Sequence, residues 1–146
     1  MQTASTHNLW LVRLLIGAVL LSNLYAALNY LLNPWAFVAA FDLQSAPGMA
    51  AIFGMGLLFL MWQIPYLFAL LQPVKNHISL MEANLMQAIG LAGESMLLTR
   101  IPAEFSALRG SIQRFMVFDA VGLLLLSCAY LLGNRIQQNQ RKERNV

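Results

Sequence analysis

Two acids stand where the sequence is otherwise apolar: Glu94 within "IGLAGESMLL" and Asp119 within "QRFMVFDAVGLLLL". Hydrocarbon does not solvate a carboxylate, so an intramembrane acid needs a donor, a cation or a proton. If successive helices alternate direction, the two acids share a depth, each about 6 to 8 Å from the end of its apolar stretch at ~1.5 Å per residue. Arg100 and Arg114 fall at the same membrane face. A group of two acids and two bases suits proton exchange, capture of a polar head group, or salt bridges that fix the connection between the two helices. Glu94 itself is expected to turn inward and to meet Arg100, Arg114 or Asn29.

The polar residues nearby fall on defined helix faces. At 100° per residue Asn84, Gln87, Leu91, Glu94 and Ser95 lie on one arc of a third helix, with Ala88 beside them. Ser22, Tyr25, Ala26, Asn29 and Asn33 share an arc on the first helix. Gly56, Gln63 and Tyr66 do so on the second, and Asp119, Gly122, Leu126, Tyr130 and Gly133 on the fourth. Amides and carboxylates cannot be satisfied by lipid, so these faces should converge on a common interior. The expected interior polar set is Asn29, Gln63, Asn84, Gln87, Glu94 and Asp119, with a ligand-binding or a structural role. Arg100 and Arg114 are its expected charge partners. Glu82 projects away from the stripe of its own helix and reads as interfacial, within range of Arg13.

The elements that carry these faces follow from composition. Of 146 residues, 59% are hydrophobic and only 10% charged, which places the chain among membrane proteins. Spans of roughly 20 apolar residues are expected at about 10–32, 49–71, 78–98 and 115–133. The fold class expected is all-α: an integral membrane four-helix bundle in a single transmembrane domain, 1–146, with a polar basic tail at 134–146. The loop "PAEFSALRGSIQRF" predicts a short interfacial helix before the fourth span. Pro65, in "WQIPYL", removes one amide hydrogen from the second helix and predicts a kink. Trp10, Tyr30, Trp35 and Tyr66 fall near span ends, where amphipathic rings favour the headgroup layer. Lys75 and the tail cations Arg135, Arg141, Lys142 and Arg144 place both termini in the cytoplasm of a bacterial inner-membrane protein, although Arg100, Arg109 and Arg114 count against that orientation.

Several function classes are disfavoured by what the spans lack. His7 and His77 lie outside them, which leaves no axial pair for a b-type haem. No phosphate-binding glycine loop, zinc motif or nucleophile with a nearby base appears, so no catalytic residue, no metal site and no cofactor is expected, and the chain does not read as an enzyme. Eight methionines read as adaptable packing, and Cys128 as a small core residue. The basic tail lacks interleaved aromatics, so nucleic acid is not an expected partner.

The run "VRLLIGAVLLSNLYAALNYLLNP" resembles the opening of the DoxX and DoxX-like group of small bacterial four-helix membrane proteins. Arg13 opens the helix, Gly17 follows four residues on, and Pro34 comes after its end. The chain departs from the group at Ser22 and Asn23, where members often carry Gly and Lys, and at "GMAAIFGMG", where they often open the second helix with an acid. The resemblance implies the four-span plan and an association with quinone-linked oxidoreductase complexes, and it transfers no catalytic residue. Two functions follow as expectations. The first is an accessory subunit or partner-binding module of a membrane complex, with other membrane subunits or a homo-oligomer as partners besides the lipid bilayer. The second is a carrier or binding protein for a lipophilic ligand, a quinone or lipid, which requires an interior pocket reaching Asn84, Gln87 and Glu94.

Overall fold

The computed structural model describes residues 2–144, with side chains described for residues 8–140 and for Lys142. His7 and the tail charges Arg141, Glu143 and Arg144 lie outside the described side chains, and tail residues 145–146 lie outside the described chain.

Four α-helices account for most of the chain: α1 (Gln2–Leu32), α2 (Ser45–Leu71), α3 (His77–Arg100) and α4 (Ser106–Arg144). Among the described residues there is no strand. Asn8–Leu32, Ser45–Leu71 and Ser106–Gln140 are each long and apolar enough to cross a membrane. The third helix has 24 residues, about 36 Å of rise, but is diluted by Glu82, Asn84, Gln87, Glu94 and Ser95.

The expected boundary of the fourth helix, 115, is corrected. α4 begins at Ser106, so among the described residues no separate surface helix precedes it, and it continues through the polar basic tail to Arg144. Pro102 sits in the preceding turn, Gly110 alone costs a helix only about 1 kcal/mol, and the Gln, Arg and Lys of the tail are good helix formers. The start is anchored from a distance: the Leu108 N–H donates to Asp42 Oδ2 at 2.8 Å. That carboxylate does the work of an N-cap.

Neighbouring helices pack in a closed order. α1 lies on α2, α3 on α4, α1 on α4, and α2 more sparingly on α3, whereas among the described residues the backbones of α1 and α3 make no close approach, nor do those of α2 and α4. Between α1 and α2 the chain forms two 3-10 turns, Pro34–Phe37 and Ala39–Phe41, which rest on α2 and α4. Asp42 closes them with φ 52°, a left-handed conformation that Asp tolerates. The Ser111 hydroxyl donates to the Ala40 carbonyl and ties the second turn to α4.

Two arginines close helix C-termini. Arg13 Nη2 donates to Leu71 O at 3.0 Å at the end of α2. Arg109 Nη1 donates to Leu98 O at 2.9 Å and Ile101 O at 2.6 Å at the end of α3. A cation over the last carbonyls satisfies orphan acceptors and complements the helix dipole. Arg13 is therefore engaged by backbone rather than by Glu82, which is exposed.

The core has two parts. Near the chain termini Val12, Ile16, Val19, Tyr66, Ala69, Leu80, Ala83, Leu126 and Ala129 form one apolar cluster. Toward the other end Tyr30, Val38, Phe41 and Ile52 form a second, joined by Phe37, Phe59 and Phe115. Tyr30 and Tyr66 thus belong to the interior, at 7% and 2% exposure, and not to the interfacial belt expected of them; Trp10 and Trp35 are exposed. Cys128, expected in the core, faces outward from α4. The helix rotation that buries Leu126 and Ala129 turns it away.

Candidate functional site

Between the two apolar clusters lies a cavity of about 540 Å³. All four helices and both 3-10 turns line it. Its upper wall is aromatic: Tyr30 meets Phe37 edge-on at 4.8 Å, and Tyr30, Phe41, Phe59 and Phe115 hold centroid separations of 5.9 to 6.4 Å. Such offset and edge geometries are the favourable ones for ring pairs. Diagonal helices make no close backbone approach among the described residues, and here rings reach across the gap that aliphatic side chains fill at the other end.

The floor is polar and ordered. The Tyr66 hydroxyl donates to Gln87 Oε1 at 2.7 Å, and Gln87 Nε2 donates to Asp119 Oδ1 at 2.8 Å. The chain of bonds fixes the amide orientation of Gln87, which is buried at 4% exposure. Two glycines make room for it. A Cβ on Gly122 of α4 would collide with Gln87 of α3, and a Cβ on Gly90 of α3 would collide with Asp119 of α4. Each helix thus offers one polar side chain and, three residues on, the glycine that receives its partner's. Small residues at such crossings let backbones approach closely.

Gln63 of α2 is buried at 7% exposure, with Nε2 donating to Phe59 O at 2.7 Å, and its Oε1 is buried without a partner. Glu94 lines the cavity as expected, and so does Asp119, whose carboxylate stands against Gln87 and Gly90, a helical turn or more before Glu94 on α3. The partners expected of Glu94 are engaged elsewhere. Arg100 Nη2 lies against Met96 Sδ at 3.7 Å, Arg114 Nη2 donates to Ser111 Oγ at 2.8 Å, and Asn29 Nδ2 donates to Tyr25 O at 2.7 Å. Glu94 Oε2 is buried and has no hydrogen-bond partner. Arg114 does line the cavity, whereas Arg100 does not.

The expected polar set is therefore brought together in part. Gln63, Gln87, Glu94 and Asp119 share the cavity. Asn84 lies outside it, donating to Leu80 O at 3.0 Å and accepting from Ser127 Oγ at 3.0 Å between α3 and α4. Asn29 is turned away, and of the arc expected of helix one Ala26 lines the cavity, whereas Tyr25 is 73% exposed and Ser22 Oγ donates to Ala18 O at 2.8 Å. A short polar side chain can bond the carbonyl one turn back and needs no neighbouring helix. That option freed α1 to rotate its apolar face inward.

α1 instead presents Asn23, Ala26 and Tyr30 to the cavity, and the outer loop contributes Phe37, Ala40 and Phe41. The i, i+3, i+7 spacing of the first three was available in the sequence, as was the alternation of Phe with small residues in "NPWAFVAAF". Trp62 of α2 and Ile89 and Leu97 of α3 also line the cavity while remaining exposed, which puts its mouth between these two helices, the pair in sparsest contact. No family model matches the chain, and neither a curated protein nor a solved structure matches it.

Proposed function

We propose that this protein is a four-span membrane protein, folded as an antiparallel four-helix bundle, that binds a lipophilic ligand in its interior cavity and performs no catalysis of its own. The carrying observation is the cavity of about 540 Å³, aromatic on its walls and polar on its floor. That size is in the range of small-molecule sites, which are mostly apolar with a few placed polar groups. α3 serves as the fourth span: about 36 Å of helix exceeds the roughly 30 Å of a bilayer core. Its Gln87 and Glu94 are turned toward neighbouring helices and the cavity instead of toward lipid.

A ligand dissolved in the membrane reaches the cavity sideways, between Trp62 and Ile89, without crossing water. Both termini are assigned to the cytoplasm of a bacterial inner membrane, on the basic tail. Arg109, one of the cations that weighed against this orientation, is engaged in capping α3. Kinship with the DoxX-like group enters at the level of the four-span plan, with Arg13 closing α2 and Gly17 packed against Leu70.

Native mass spectrometry and organic extraction of the protein released from membranes in mild detergent test the reading. A lipophilic molecule should be retained near one per chain. Gly93→Phe should displace it, because Gly93 lines the cavity and a Cβ there meets no atom within 4 Å. Wild-type protein that retains nothing, together with a stable complex containing a second membrane chain, would favour the accessory-subunit reading instead.

A further inference from the structure

The polar atoms of the cavity have a sign. Two residues that line it, Gln63 and Glu94, each hold a buried side-chain atom without a partner, Oε1 and Oε2 respectively, and both are oxygens. The orientation of Gln63 is not free: its Nε2 is held by Phe59 O at 2.7 Å, and a flipped amide would set oxygen against oxygen. Gln63 therefore offers an acceptor whatever the protonation of its neighbours. The Tyr66 hydroxyl is spent on Gln87 and Gln87 Nε2 donates to Asp119, which leaves the Asn23 amide and the Arg114 guanidinium among the further donors of the lining side chains. Charge points the same way. Two carboxylates, Glu94 and Asp119, face one guanidinium, that of Arg114, which is exposed and bonded to Ser111.

We infer, resting on the ligand-binding reading above, that the cavity is built for an amphiphilic amine: a lipophilic body whose protonated nitrogen donates N–H bonds to Glu94 and Gln63. A buried carboxylate without a donor is costly, and an ammonium group supplies both charge and hydrogens to it. The rings of Phe59 and Trp62, 5.9 Å apart, stand in the same wall, where aromatic faces attract a cation. A quinone or an ester brings further acceptors and meets the two oxygens with its own. A fatty acid or phosphate head adds negative charge to two carboxylates. Neither matches the cavity as an amine does.

The test uses the full chain in nanodiscs of phosphatidylglycerol. Calorimetric titrations compare three probes: the tricyclic secondary amine nortriptyline, its uncharged N-acetyl derivative, and the short-chain quinone ubiquinone-1, each corrected against protein-free discs. The amine should bind at least about tenfold more tightly than the N-acetyl compound. Glu94→Gln should reduce that ratio to about threefold or less, while Glu82→Gln, which removes an exposed acid elsewhere on α3, should leave it unchanged. If Glu94→Gln fails to insert, Gln63→Leu carries the same expectation, since it removes the second acceptor at similar size.

Equal binding of amine and N-acetyl compound, or tighter binding of ubiquinone-1, would overturn the inference and leave the ligand-binding reading standing. Failure of all three probes to bind above protein-free discs would remove both. Discs supplemented with phosphatidylethanolamine separate the two sources of an amine. Competition there identifies a lipid head group and its absence a free amine, and either outcome supports the inference.

Discussion

Replacing Gly122 with alanine should destabilise the protein through Gln87, at a site with no charge and no apparent chemistry of its own. The new methyl would lie 2.9 Å from Gln87 Cδ and closer still to Nε2. A glutamine end would ordinarily swing aside. Here it is pinned between the Tyr66 hydroxyl and the Asp119 carboxylate, at 2.7 and 2.8 Å, so moving it breaks both bonds. Hydrogen bonds between membrane helices average about 0.6 kcal/mol and reach about 1.7, so two are worth about 1 to 3 kcal/mol. Overpacking adds about 1 to 3 kcal/mol. The expected loss is about 2 to 6 kcal/mol, measured by reversible unfolding with SDS in mixed micelles and followed by circular dichroism. The mechanism makes a sharper demand. In a Gln87→Ala background the methyl enters vacated space, so Gly122→Ala should then cost no more than about 0.5 kcal/mol. A wild-type-like Gly122→Ala, or a penalty as large in the Gln87→Ala background, would refute the reasoning.

Gln63→Leu should stabilise the same protein by about 1 kcal/mol in SDS unfolding, because it removes a buried carbonyl without a partner, even as it weakens ligand binding. Asp42→Val should lose about 0.5 to 2 kcal/mol by uncapping Leu108, and its strained left-handed backbone adds to the loss. Asp42→Asn, which keeps an acceptor and tolerates that backbone, should stay close to wild type; equal losses in both variants would count against the cap. Arg109→Met should raise hydrogen exchange at the C-terminal turn of α3 about tenfold over residues 98–101 while leaving α1 unaffected. Cys128, the single cysteine, faces outward from the middle of α4, so in vesicles it should resist a charged thiol reagent and become reactive once the protein is unfolded in SDS. Ready labelling by the charged reagent would place it in water and contradict a span at that position.

What was legible in the sequence was the class of the fold and the identity of most polar groups in the cavity. Apolar stretches long enough to span a membrane leave little choice of secondary structure, because only a helix satisfies every backbone group within its own segment. Helical periodicity then placed Gln63, Gln87, Glu94 and Asp119 on inward faces. Tertiary packing decided the rest. Whether Ser22 and Asn29 face inward depends on a carbonyl one turn back, a local alternative that periodicity cannot weigh against an interhelical bond. Where a helix ends is similarly nonlocal: α4 starts at Ser106 because Asp42, 66 residues before Leu108, caps it. Arg109 and Arg114, read as charges, act chiefly through geometry, one on the carbonyls of α3 and the other on Ser111. The cavity itself exists only in three dimensions. It is the gap left where four faces converge and rings rather than backbones reach across the diagonal, and no single helix records in its sequence the distance to the helix opposite.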